Sequence, residues 1–179
     1  DAMGALTGVT DPLGRTTTWT YDPSGRPTSM TDPLGSTWTW AYDRSGRLSE
    51  ATLPTGGTMA YAYDPRGLLT RVAYDDGTCE EFAYDAVGSL VRAVSPDADL
   101  SFGYDAAGRL TTTHWAELGK TVTFGYDPSG RRTRLTDPEG RVFTYRYDAA
   151  GQLTALVDPD GNESRLAYDA AGRLREVSC

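Results

Sequence analysis

Apolar and polar residues alternate along this chain in bursts of about six. In "STWTWAY" the residues Trp38, Trp40 and Tyr42 share one parity, and Thr37, Thr39 and Ala41 share the other. "TMAYAY" does the same with Met59, Tyr61 and Tyr63, and "VFTYRY" with Phe143, Tyr145 and Tyr147. Period two belongs to a strand with two distinct faces. An apolar spacing of three and four never lasts two turns, and Gly or Pro interrupts about every ten residues, which argues against helices. The Leu-x-x-Leu-x-Leu pattern of leucine-rich repeats is absent too. The pattern therefore predicts an all-β chain.

The bursts recur. Tyr-Asp pairs begin at Tyr21, Tyr42, Tyr63, Tyr84, Tyr104, Tyr126, Tyr147 and Tyr168, in steps of 21, 21, 21, 20, 22, 21 and 21. The aspartates are Asp22, Asp43, Asp64, Asp85, Asp105, Asp127, Asp148 and Asp169. Four residues after each tyrosine stands a glycine: Gly25, Gly46, Gly67, Gly88, Gly108, Gly130, Gly151 and Gly172. A looser mark falls half-way between, as "DPLG" at Asp11 and Asp32, "DPEG" at Asp137 and "DPDG" at Asp158. Two turn signals per period leave two strand-length segments, so the unit is a β-hairpin of about 21 residues.

Both marks have turn chemistry. An Asp side chain can accept the backbone N–H two residues on. Pro at the next position, as in Pro23, Pro65 and Pro128, sets φ for a type I turn, and Gly supplies the positive φ that closes it. Such a turn joins hairpin strands.

Aligned repeats give columns. Two residues before each motif tyrosine stand Trp19, Trp40, Tyr61, Phe82, Phe102, Phe124, Tyr145 and Leu166. Two after the glycine come Leu48, Leu69, Leu90, Leu110, Leu153 and Leu174; three further on come Met30, Ala51, Val72, Leu135, Leu156 and Val177. Positions two and five have opposite parity. Either a bulge intervenes or the leucine belongs to the turn.

Composition narrows the function. The net charge is −8 over 179 residues and the arginines are dispersed, about one per turn, so no phosphate-binding surface for nucleic acid is expected. An anionic membrane surface is disfavoured likewise, and no apolar run approaches the roughly 18 residues of a membrane span. No signal peptide is visible, and "DAMGALTGVT" reads as a cut inside a longer protein. Cys79 and Cys179 are too few for a disulfide framework; crosslinking between chains through Cys179 is the expected complication.

Candidate chemistry is sparse. His114, the only histidine, reads as an ordinary strand residue. No His, Cys, Asp or Glu spacing suits a metal, and "DPDGNE" holds only a fragment of a calcium loop. "DAAGRL" lacks the glycine spacing and lysine of a phosphate cradle. No catalytic residue, cofactor or metal ligand is expected. The aromatic columns could stack sugars, but packing ladders are the simpler account, each pair contributing about 0.5–1.5 kcal/mol beyond burial.

The stretch "GRRTRLTDPEGRVFTYRYDAAGQLTALVDPDG", Gly130 to Gly161, resembles the RHS or YD repeat, and the resemblance extends over the whole chain. Such repeats occur in bacterial polymorphic toxins, insecticidal toxin-complex shells and animal teneurins. The resemblance implies hairpins added side by side into a curved, open, spiralling antiparallel sheet, part of a hollow shell. In toxin members that shell holds a toxic domain. The implied organisation is a single repeat domain, 1–179, of eight YD repeats with a partial first one. The plug, autoproteolytic and toxin domains of toxin members have no counterpart here. Eight hairpins would stack to roughly 75 Å at about 4.8 Å per strand. The implied function is structural: a shell segment, secreted or at the cell surface, whose partners are the remaining shell repeats and a toxin cargo. Self-association through open sheet edges is also expected. The alternative is an extracellular module for cell-surface or carbohydrate recognition.

Overall fold

The computed structural model describes residues 4–178; Cys179 lies outside them. Every described element is a strand, and the chain divides into two compact units. The first, Asp1–Ala83, carries β1 (Gly8–Thr10), β2 (Thr16–Tyr21), β3 (Pro27–Thr31), β4 (Thr37–Tyr42), β5 (Leu48–Thr52), β6 (Thr58–Tyr63), β7 (Leu69–Tyr74) and β8 (Cys79–Tyr84, its last residue opening the second unit). The second, Tyr84–Cys179, carries β9 (Leu90–Ser95), β10 (Ala98–Tyr104), β11 (Leu110–Trp115), β12 (Lys120–Tyr126), β13 (Arg132–Thr136), β14 (Val142–Tyr147), β15 (Leu153–Val157), β16 (Glu163–Tyr168) and β17 (Leu174–Ser178).

Within each unit every strand pairs antiparallel with the next in sequence, β1 through β8 and β9 through β17. The fold is thus a meander of tandem hairpins, each repeat contributing two strands. Within each unit the Tyr-Asp-x-x-Gly turns fall on one edge of the meander and the half-way turns on the other. The uneven steps are absorbed at the half-way turns. "SPDAD" joins Ser95 to Ala98 through two residues, and "AELGK" joins Trp115 to Lys120 through four.

A bulge reconciles the two apolar columns. Ala41 pairs with Glu50, but Tyr42 pairs with Leu48, so Ser49 is skipped. The same shift occurs beside Tyr21, Tyr63, Tyr104, Tyr126, Tyr147 and Tyr168. One extra residue reverses parity. The leucine then lies opposite the motif tyrosine, and the residue three further on lies opposite the aromatic, on the same face. Trp40 faces Ala51, Tyr61 faces Val72 and Phe124 faces Leu135. On its other side the smaller residue faces the position two before the next aromatic, as Ala51 faces Met59 and Leu135 faces Phe143, so successive aromatics are two strands apart and offset by two residues. The ring ladder is staggered.

The opposite face is short and polar. Thr20, Ser29, Thr39, Thr52 and Thr58 form a row across five strands, and Thr10–Thr16 and Thr31–Thr37 hydroxyls bond at 2.8 and 3.0 Å. Burial alternates accordingly: in β6 the residues Ala60 and Ala62 are exposed and their neighbours half-buried. Among the described residues only Ala51, Val72, Ala155 and Thr113 are buried. A meander this thin draws its stability from neighbour-to-neighbour contacts rather than from one central core.

Candidate functional site

The recurring chemistry is concentrated at the Tyr-Asp edge. Each turn is built the same way. In the second repeat Gly46 N–H donates to the Asp43 carbonyl at 2.9 Å, and Asp43 N–H donates to the Arg47 carbonyl at 2.8 Å. The Asp43 Oδ1 accepts the N–H groups of Ser45 and Arg47 at 2.8 and 2.9 Å. Gly46 has φ +82°, and the eight motif glycines lie between +77° and +93°. That left-handed region disfavours any residue with a Cβ. The turn is satisfied internally before any neighbour is involved.

Two side chains then reach from repeat to repeat. The first is the motif tyrosine. Its hydroxyl donates to the backbone carbonyl two residues past the preceding motif glycine. Tyr42 reaches Pro27, Tyr63 reaches Leu48, Tyr104 reaches Leu90 and Tyr126 reaches Leu110, at 2.8 to 2.9 Å. Tyr147 bonds Arg132 and Tyr168 bonds Leu153 in the same way; Tyr21 bonds Leu6. That carbonyl lies beyond the last ladder pair with the following strand, as Leu48 lies beyond Glu50–Ala60, and the phenol satisfies it.

The second is an arginine just after the glycine. Arg47 pairs through Nη2 with Asp43 Oδ2 at 2.8 Å, lies 4.6 Å from the centre of the Tyr63 ring, and donates Nη1 to the Asp64 carbonyl at 3.3 Å. Arg109 and Arg131 repeat all three contacts with Asp105, Tyr126 and Asp127, and with Asp127, Tyr147 and Asp148. Arg26 pairs with Asp22 and covers the Tyr42 ring at 4.6 Å. The guanidinium thus clasps the turn of its own repeat, stacks on the ring of the next, and hydrogen-bonds the backbone there. Leu68, Ser89 and Gln152 stand where an arginine would be, yet the hydroxyl bonds of Tyr104 and Tyr168 persist beside Ser89 and Gln152. Arg66 clasps Asp64 from inside the turn instead, at 2.8 Å.

The electrostatics follow. The backbone N–H of Arg26 holds the Asp22 carboxyl below the usual range, and its guanidinium adds to this. Asp43, Asp105 and Asp169 are lowered chiefly by the N–H of Arg47, Arg109 and Arg173. Partial desolvation pushes the Tyr63 phenol up.

These residues bind the protein to itself. The tyrosines, aspartates and glycines were legible as a motif; the arginines were not singled out, although Gly-Arg recurs at Arg26, Arg47, Arg109, Arg131 and Arg173. His114 Nδ1 lies 2.8 Å from the Thr121 hydroxyl. Among the described residues no three His, Cys, Asp or Glu side chains cluster as metal ligands, and no helix is long and apolar enough to cross a membrane.

The RHS Repeat family model matches residues 1–37, 21–58, 42–79, 84–117, 104–142, 126–163 and 147–178. The chain belongs to the RHS repeat family. No curated protein matches it. Solved structures similar to this RHS chain include TcdB2-TccC3 without its hypervariable C-terminal region, at 18% identity and TM-score 0.73, covering 95% of this chain and 11% of that one. TcdB2-TccC3-Cdc42 follows at 17% and 0.65, covering 92% and 12%. The Photorhabdus luminescens Tc holotoxin pore with TccC3 mutation D651A stands at 17% and 0.66, with the same coverage. The likeness is one of fold, and the chain spans about a tenth of the length of those structures. What the family and fold establish is a structural repeat segment.

Proposed function

We propose that this chain is one continuous stretch of wall, residues 1–179, in an exported RHS shell that encloses and helps deliver a toxin. It carries no catalysis of its own. The observation that supports this most is the clasp at Arg47, Arg109 and Arg131, which joins each turn to the next through ring, carboxylate and backbone. A wall must be extendable by identical steps and must leave its neighbours no freedom to splay. Those contacts meet both demands, and they use the polar groups an active site would need free. The motif tyrosines, aspartates and glycines are in this reading the mortar between repeats. The toxin-complex structures to which the chain is similar in fold support the toxin context.

The test uses the parent polypeptide. A downstream toxic segment should resist added protease while the wall is intact. Removing residues 126–146, one whole repeat, should leave a smaller but sealed wall and most of the protection. Removing residues 130–140 takes out β13 and one turn, puts a Tyr-Asp turn on the wrong edge, and should expose the cargo. Equal protection in both deletions would sink the proposal. Binding of this chain to cell-surface glycans, lost when its aromatic face is changed, would favour the recognition module instead.

A further inference from the structure

A pocket of about 370 Å³ opens on the half-way edge of the first unit, between the Asp11 and Asp32 turns. Its room comes from Thr17, which pairs with Val9 and stands four residues before the motif tyrosine. In other repeats that position carries Trp38, Met59, Glu80, Leu100, Val122 and Phe143. Ser164 is small too, but Asn162 stands where Arg15 would be. The first repeat alone joins an arginine to a small residue two positions on.

Three features of the pocket select what enters it. The first is an uncovered guanidinium. At four Tyr-Asp turns the arginine that clasps its aspartate has a tyrosine ring 4.6 to 4.9 Å away and is 30 to 33% exposed. Arg15 clasps Asp11 at 2.6 Å, lines the pocket and is 63% exposed, so it has a face left for a ring. The second is an apolar wall of Val9, Pro33 and Leu34. The third is charge. Arg15 neutralises Asp11, but Ser36 stands where an arginine would serve Asp32. The Asp32 Oδ1 accepts the N–H groups of Leu34 and Ser36 at 2.8 Å, and no side chain among the described residues pairs with its Oδ2. The lining therefore carries one uncompensated negative charge.

We propose that this pocket binds a small arylalkylamine, an aromatic ring joined by a short arm to an ammonium group. The ring takes the room that a larger side chain holds in six other repeats and lies against the Arg15 guanidinium. The ammonium donates to Asp32 Oδ2 as a charge-assisted hydrogen bond. A neutral ring gains the stacking alone, and a carboxylate on the same arm meets Asp32 with like charge. The volume is at the small end of ligand sites, which run from about 300 to 1,000 Å³. The site uses none of the Tyr-Asp clasps, so it stands beside the wall role and does not depend on it.

The experiment titrates the isotope-labelled whole chain with tryptamine, indole and indole-3-propionate and follows the amide resonances. Tryptamine should give saturable shifts confined to residues 9–17 and 32–36. Indole should bind about tenfold more weakly, and indole-3-propionate more weakly still. Asp32→Asn keeps the acceptor for the two N–H groups. It should weaken tryptamine about tenfold and leave indole unchanged. Thr17→Trp, which copies Trp38, should abolish the shifts from both with the β spectrum intact; if that spectrum is lost, Thr17→Leu, which copies Leu100, takes its place. Five results would each overturn the proposal: no saturable shift, shifts centred elsewhere, propionate binding as tight as the amine, an Asp32→Asn chain that binds tryptamine as before, or undiminished binding to the folded Thr17 variant. None of them bears on the wall, which the repeat deletions test.

Discussion

The two edges of the meander carry the same turn and different consequences. At Asp11 and at Asp43 an aspartate accepts the N–H groups two and four residues on, a glycine at φ +80° or +82° closes the loop, and an arginine four residues after the aspartate pairs with its carboxylate. Taken alone, they are one structure. Yet Arg15 and Arg141, on the half-way edge, are 63 and 61% exposed, against 33% for Arg47. The difference is the tyrosine. On the Tyr-Asp edge a ring and a carbonyl of the next repeat lie within the guanidinium's reach. On the other edge the guanidinium extends into water, where an ion pair contributes about 0–1 kcal/mol. Local turn chemistry therefore does not distinguish wall-building from mere reversal; what lies one strand away does.

Acid attacks what the two edges share, so it should have the largest effect. Asp11, Asp22, Asp43, Asp105 and Asp169 are all held below their ordinary value, chiefly by backbone N–H groups. In the unfolded chain they titrate near 3.9. Between the two values the unfolded state binds more protons, so falling pH favours unfolding. Their contribution is complete above the unfolded value and is lost as pH drops through the folded ones. The urea midpoint should stay level from about pH 7 to 5 and then collapse below about pH 4. An unchanged midpoint at pH 3 would mean that the carboxylates do not hold the turns.

Glycine substitution separates the edges. Gly35 on the half-way edge and Gly46 on the Tyr-Asp edge share a positive φ, +86° and +82°. A Cβ at Gly35 would meet nothing within 4 Å; at Gly46 it would come within 2.9 Å of Arg26 Nη1. Gly35→Ala should cost about 1–2 kcal/mol from backbone strain alone. Gly46→Ala should cost that and, in addition, displace the Arg26 guanidinium from the Tyr42 ring. Equal urea midpoints for the two variants would erase the distinction between edges.

Arginine removal measures the clasp directly. Arg47→Leu should cost about 1–2 kcal/mol, and Arg15→Leu no more than about 0.5 kcal/mol. Tyr63→Phe isolates the hydroxyl on Leu48 and should cost about 1 kcal/mol. Tyr63→Phe keeps the ring beneath Arg47, so a double-mutant cycle of Arg47→Leu with Tyr63→Phe should be close to additive. A large coupling energy would show that the stacking and the hydroxyl bond are not independent ties.

The fold was legible because its signals were local and repeated. Alternation in "VFTYRY", the steps between tyrosines and the Asp-Pro-x-Gly chemistry each point to hairpins. The clash between Leu48 and Ala51, opposite in parity yet both apolar, was visible too. It could not be resolved, because a bulge is a property of pairing and the partner strand decides which residue is skipped. The clasp was illegible for a related reason. Arg47 and Tyr63 are sixteen residues apart, and only register brings them together. Sequence offered the recurrence of Gly-Arg and no way to say what the arginine touched. Arg15 and Arg141 also follow a glycine, and they do something else.

Gln152 offers the smallest test and the sharpest. It stands in the arginine position of the seventh motif, with its N–H on Asp148 Oδ1 at 2.9 Å and Tyr168 already bonded to Leu153. Its Nε2 lies 3.0 Å from where a Cβ on Gly172 would be, so the amide already runs along the path that Arg26 takes past Gly46. Gln152→Arg should let the guanidinium reach the Asp148 carboxylate and the Tyr168 ring without moving the backbone. The gain should be about 0.5–1 kcal/mol, a rise in Tm of about 1–4 °C for a chain of this length. Asn162→Arg is the matched change on the other edge. Asn162 stands four after Asp158 and its side-chain amide already donates to that carboxylate at 2.7 Å, as Arg15 does to Asp11. It should change Tm by less than about 1 °C, because its guanidinium would exchange one exposed contact for another. Equal rises would mean that any arginine beside an aspartate helps and that the tyrosine is incidental. A rise confined to Gln152→Arg would place the stabilisation where the two edges differ, in the ring one strand away.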